Sequence, residues 1–294
     1  MPPPGACGHG CGGPGGLRHE RRRRTAITLC PGEGLPVSGE ILCRREAELA
    51  FVTLSNPGKR NAIDAAMWRR LREVMVELGA DEVLRCVIFT GQGAAFAAGG
   101  DLEEFRAARA TVEAALVYHE AVGAALAAIA ECPLPTVAAI TGPCVGGGLE
   151  IACACDLRLA AEGARFGAPV MKLGFPMYPG ELQGLLELVG PAVAKEILLE
   201  GRLLTATEAY EKGLVTRVVA DADLLGDALA TAQRIAAGAP AVARAHKRWI
   251  ARLLTDVPLS AEEKRAAFAF LDSEDYREGL AAFLEKRPPQ FRGR

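Results

Sequence analysis

The stretch that most constrains this fold runs from Val137 to Leu159, VAAITGPCVGGGLEIACACDLRL. Val137–Ile140 is a short apolar run, Thr141, Gly142 and Pro143 make a turn, and Gly146, Gly147 and Gly148 lead into a second apolar run. That order reads as strand, glycine turn, helix and strand. Glu150 is the first charge since Glu131. A carboxylate among Leu149, Ile151, Ala152 and Cys153 is costly to bury unless it is paired or used. Beside it, glycines leave backbone N–H groups open to a ligand because no Cβ blocks approach. A helix start would also aim those groups along a dipole that favours negative charge. N–H donors for an oxyanion next to a buried carboxylate suit the handling of an enolate.

The flanking chain alternates in type. Glu40–Arg44 and Leu49–Leu54 read as strands of a hairpin around Glu46. Asn56-Pro57-Gly58 breaks the chain, and Ile63–Leu78 carries Met67, Leu71, Val74, Met75 and Leu78 at helical spacing. Arg85–Thr90 is a buried strand, Gly91–Gly100 a loop, and Asp101 with Glu104 has the spacing of a capping box. Thr111–Glu131 is a long amphipathic helix. Such strand–helix alternation predicts parallel pairing with right-handed crossovers, an α/β fold. From Pro179 onward helices dominate: a capping box at Thr205 and Glu208, then helical stretches over Asp223–Ala237, Ala241–Thr255 and Ser260–Lys286.

Residues 1–38 are of different composition, dominated by Pro and Gly over 2–16 and by Arg21–Arg24. A segment so poor in apolar groups is expected to be a disordered extension. Cys7, His9 and Cys11 lie in it, but their spacing fits no zinc pattern, so no metal is expected. Residues 39–235 are expected to form the core and 236–294 a helical region. Net charge is −2, which gives no signal for nucleic acid or membrane. Cys132–Leu149 is uncharged over 18 residues, yet three prolines and four glycines interrupt it, so no membrane span is expected. The nine cysteines fall largely in apolar runs (Cys86, Cys132, Cys144, Cys153, Cys155) and read as reduced core residues of a cytoplasmic protein. No secretory apolar region follows Met1.

GPCVGGGLEIACACDLRLAAEGARFGAP, residues 142–169, resembles the signature region of the crotonase superfamily, the enoyl-CoA hydratase/isomerase proteins. NPGKRNAI at 56–63, FAAGGDL at 96–102 and FLEKRPPQF at 283–291 agree in order and spacing. The resemblance implies a crotonase-type spiral of ββα turns followed by helices that drive trimer formation, with a homotrimer or homohexamer as the assembly. It implies an acyl-CoA thioester as substrate, with coenzyme A part of that substrate and no separate cofactor.

By the same resemblance, Ala98 and Gly147 match the two backbone donors of the oxyanion hole, and Glu150 matches one of two acid/base glutamates. The place of the second glutamate is taken by Val170, which cannot transfer a proton. Simple hydration wants both groups, so double-bond isomerisation, decarboxylation or a non-catalytic thioester-binding role stand beside hydratase-like chemistry. Lys59 and Arg60 fall in the loop bordering the CoA nucleotide, and Lys286 is placed to reach it from a neighbouring subunit; plain surface charge is the alternative for all three. Ala62, Gly99, Gly100, Asp101 and Gly146 complete the implied substrate-binding set. His119 lies on the apolar face of its helix, which borders the acyl pocket, and reads as a packing residue or pocket group. Met177 and Tyr178 replace a glycine-rich stretch and would reshape that pocket. Tyr178 or Glu181 can supply a substitute acid, although each also reads as a pocket wall or a solvated group.

Other chemistries lack their residues. There is no GxxxxGK[ST], GxSxG, HExxH or CxxC, and Gly91-x-Gly93 lacks the third glycine of a dinucleotide fingerprint.

Overall fold

A computed structural model describes residues 39–293. The expected extension 1–38, with Cys7, His9 and Cys11, lies outside the described residues. Strands β1 (Glu40–Glu46) and β2 (Leu49–Ser55) pair antiparallel. Their reversal falls at Ala47–Glu48 rather than at Glu46, with Ala47 at φ 50°. Asn56-Pro57-Gly58 leads through a short 3-10 turn into α1 (Ala65–Gly79), whose N-cap Asp64 accepts from the Met67 N–H. The helix buries Met67, Trp68, Leu71, Val74, Met75 and Leu78, one face at helical spacing.

Next come β3 (Cys86–Gly91), α2 (Leu102–Ala108) and α3 (Val112–Ala130). Asp101 caps α2 through the Glu103 N–H, but the expected capping box does not form. Glu104 instead turns its carboxylate to the Ala65 N–H, an orphan donor at the start of α1. The glycine-rich centre supplies β4 (Thr136–Ile140), β5 (Pro143–Val145), α4 (Gly147–Ala154), β6 (Leu157–Ala161) and β7 (Arg165–Gly167). The remainder is α5 (Pro179–Glu200, kinked at Gly190-Pro191), β8 (Leu204–Thr205), α6 (Ala206–Glu211), β9 (Arg217–Val219), α7 (Leu224–Ala236), α8 (Pro240–Leu253), α9 (Ala261–Ala266) and α10 (Glu274–Glu285). Strands β8 and β9 interrupt the helical half that the sequence suggests, being too short to show a period-2 pattern. The 260–286 stretch is divided because Ser273 caps a new helix by accepting from the Tyr276 N–H.

Six strands form one sheet in the order β1-β2-β3-β4-β6-β9, parallel except for the β1–β2 pair, and β5-β7-β8 form a second. Between β4 and β7 the chain alternates from one sheet to the other, with α4 inserted after β5: the ββα spiral. Every residue of β4 is buried, as expected of a parallel strand covered on both faces. Ala138 and Ile140 face the main core with α1, α3 and α4, whereas Val137 and Ala139 face Leu224, Ala228 and Ala232 of α7. This double cover holds the end of β4 rigid where the chain enters the glycines.

Candidate functional site

Three glycines start α4 because nothing larger fits. Gly146, its N-cap, has φ 49° and ψ −117°, and a Cβ on Gly148 would stand 2.6 Å from the Ala97 carbonyl oxygen. That approach brings the Ala97–Asp101 loop against the start of α4. Gly147 is the first residue of the helix, so its N–H has no intrahelical acceptor. A Cβ on Gly147 would lie 3.5 Å from the Gly100 nitrogen and 2.9 Å from the Trp68 ring. Among the described residues, neither Gly100 nor Gly147 gives its N–H to a protein acceptor. Two free donors therefore converge beside one cavity.

The expectation for Ala98 is corrected here. Its N–H donates to the Arg60 carbonyl at 3.0 Å, closing the 56–63 loop onto this one. An occupied donor cannot hold a second oxygen, and Gly100, two residues on, takes its place beside Gly147.

A cavity of about 380 Å³ opens in front of these donors. Ala98, Gly99, Gly100, Gly146, Gly147 and Glu150 line one wall, and Val170, Met177, Tyr178 and Glu181 another. Glu150 sits in the first turn of α4, half-buried, and lines the cavity. Burial pushes its carboxyl well above the usual carboxylate range; the charge of Glu181 adds to the rise, and Arg109 opposes it.

Glu181 is the residue that sequence reasoning undervalued. It is a wall residue and not a solvated one: it is buried, lines the cavity, and holds the His119 Nδ1 through Oε1 at 2.5 Å. Burial raises its pKa too, while the His119 bond and Arg109 pull it down. The residues Tyr178-Pro-Gly-Glu look like an ordinary helix start, with Pro at the first and Glu at the third position of α5. Its partner lies 62 residues away on α3, so no local pattern shows the pair. His119 itself does not line the cavity. It backs Glu181 from behind, with the Tyr178 ring stacked on it at 4.6 Å.

The model of the enoyl-CoA hydratase/isomerase family matches residues 44–294. The chain belongs to that family. A probable enoyl-CoA hydratase of Mycobacterium tuberculosis is 37% identical over 85% of this chain and 97% of its own length. The 2,3-dehydroadipyl-CoA hydratase of Escherichia coli is 33% identical over 87% of this chain and 99% of its own. Among solved structures, an enoyl-CoA hydratase/carnithine racemase from Magnetospirillum magneticum superposes with a TM-score of 0.85 at 47% identity, covering 86% of this chain and 96% of that one.

Other residues that the enoyl-CoA hydratase/isomerase resemblance singles out fall away from the cavity. The Lys59 ammonium bonds Asp101 and Glu103 at 2.7 Å each, which holds it charged but occupied. Asp101 is thereby a cap and an ion-pair partner. Arg60 is exposed, in the left-handed region. Ala62 is buried, with its N–H on Lys59 O and its carbonyl on the Asn56 amide. Lys286 is exposed at the end of α10, outside the cavity.

Proposed function

We propose that this chain catalyses proton-transfer chemistry on an acyl-CoA thioester, and that addition of water to a 2-enoyl-CoA is the reaction its site supports best. The thioester oxygen accepts from the N–H groups of Gly100 and Gly147, which stabilise the negative charge that develops on it. Glu181, oriented by His119, takes a proton from water, and the hydroxyl adds to Cβ. Electrons move onto the thioester oxygen. Glu150, whose carboxyl burial pushes towards the protonated form, gives its proton to Cα as the carbonyl re-forms. One proton then passes from Glu181 to Glu150 to reset the pair. The observation that carries this reading is the presence of two carboxylates, Glu181 buried and Glu150 half-buried, lining one cavity beside two unengaged donors. Glu181 supplies from α5 what Val170 lacks.

The 2.5 Å bond between His119 and Glu181 favours a second reading. If it persists through turnover, Glu150 works alone and moves a proton between the α and γ carbons, an isomerisation. Incubation of a 2-enoyl-CoA in deuterated water separates the two by mass spectrometry. Hydration adds one water with deuterium at Cα and is lost in Glu150→Gln. Isomerisation exchanges deuterium without adding water. No change with any thioester would leave a binding protein and overturn the enzymatic reading.

The helical end also exposes Ile250, Leu253, Leu254, Phe268, Phe283 and Leu284. So much apolar surface calls for a cover, and a second and third copy of this chain, forming the trimer, is the proposed one. Lys286 and Arg60 would then flank the CoA nucleotide; light scattering of the purified protein tests the assembly.

A further inference from the structure

Two cations line the cavity, the exposed Lys172 and the partly buried Arg109, and it is Arg109 whose surroundings are built. Arg109 ends α2, and its guanidinium carbon sits 3.7 Å from the Phe105 ring centre, 4.5 Å from Phe175 and 5.7 Å from Tyr118. Its Nε is sealed from solvent and unbonded. Among the described residues no acceptor takes a hydrogen bond from the guanidinium and no carboxylate forms an ion pair with it; it feels Glu181 and Glu150 only at longer range. Arg109 lines the cavity, so its terminal nitrogens have open space to meet a ligand.

Arg244 also has an enclosed, unbonded Nε but does not line the cavity, and three other arginines are fully engaged. Arg158, more deeply enclosed, gives its donors to the carbonyls of Ala152, Cys155 and Leu214. Arg202 and Arg287 each bind carboxylates. An enclosed guanidinium N–H with no acceptor is costly, and the partial burial of Arg109 disfavours its charge. The nearby carboxylates make no contact with it: Glu181 holds His119, and among the described residues neither Glu181 nor Glu150 bonds the guanidinium. The aromatic faces offset part of the cost and fix the plane of the fork. Its natural complement is a planar anion bound through two hydrogen bonds.

We propose that Arg109 receives a carboxylate at the far end of the acyl chain, so that the preferred substrates are CoA monothioesters of short dicarboxylic acids. This rests on reading Gly100 and Gly147 as the thioester site. The chain must be short because one ring separates the two: Phe105 touches Gly100, its Cζ standing 2.8 Å from where a Cβ there would be, and carries Arg109 on its face.

Calorimetry with saturated thioesters, which the enzyme cannot hydrate, tests this on the whole protein. Glutaryl-CoA is compared with valeryl-CoA, and adipyl-CoA with hexanoyl-CoA, pairs of equal chain length. The carboxylated member of at least one pair should bind about tenfold or more tightly. Arg109→Gln should abolish that preference while leaving the neutral ester within about threefold, and Arg109→Lys should keep part of it. Equal or weaker binding of both carboxylated esters, a preference that survives in Arg109→Gln, or one lost instead in Lys172→Ala at the cavity wall would overturn the proposal. Binding of the neutral esters alone would overturn only this inference; binding of neither kind would overturn the thioester site with it.

Discussion

The two walls of the cavity were built by different means. One comes from contiguous chain: Ala97–Asp101 pressed against Gly146–Glu150, with each donor and the Glu150 carboxyl set by a tight turn or a helix start. The other is assembled at a distance. Arg109 closes α2 and Tyr178 and Glu181 open α5, with His119 of α3 behind Glu181, all brought together by helix packing. The first wall is largely backbone, with the Glu150 carboxyl, and a change there should alter the chemistry for any thioester. The second is side chains, and changes there should alter which reaction is run and on which acyl group.

The largest expected effect is at the first wall. Glu150→Gln should lower kcat about 10³-fold by removing the Cα proton donor while Kd for a CoA ester stays within about threefold; wild-type turnover would break the distinction. Gly147→Ala should follow, losing about 10²-fold in kcat/KM. Its methyl would stand 2.9 Å from Trp68 and 3.5 Å from the Gly100 nitrogen, in the space meant for the thioester oxygen. At the second wall, Glu181→Gln should cost about 10²-fold in hydration yet leave deuterium exchange at Cα measurable through Glu150. His119→Gln should act more gently and through pH. The His119 bond holds the Glu181 pKa down, so its loss raises that pKa, and the acid limb of kcat/KM should move to higher pH. An unmoved limb would reduce His119 to packing.

The smallest effect is on stability. Burial raises the folded-state pKa of Glu150 above its unfolded value. The native state thus prefers the protonated form, and stability falls as pH rises from about 4.3 through the raised value. Glu150→Gln should therefore melt about 2–4 °C above wild type at pH 8, with the gain vanishing near pH 4.

Much of the first wall was legible in the sequence, because glycine identity, turn chemistry and an isolated charge are local signals. Gly147 and Glu150 stand where their pattern puts them, at the start of α4. Ala98 shows the limit even there: which N–H is free depends on Arg60, 38 positions earlier in the chain, whose carbonyl takes it. The second wall was largely hidden. Val170 announces that a carboxyl is missing and leaves Tyr178 or Glu181 as substitutes, but only the docking of α5 against α3 shows Glu181 buried at the cavity on His119. Arg109 carries no signal at all in a run of alternating alanines and charges; its meaning comes from the rings around it. For the fold, long periodic helices and the buried β4 were readable, whereas the three residues of β9 were not.

A crystal structure with a saturated acyl-CoA bound tests the central claim most directly. The thioester oxygen should lie about 3 Å from the nitrogens of both Gly100 and Gly147, with the Ala98 N–H still on the Arg60 carbonyl and Glu150 facing Cα. An oxygen held instead by Ala98, or one touching neither glycine, would contradict it.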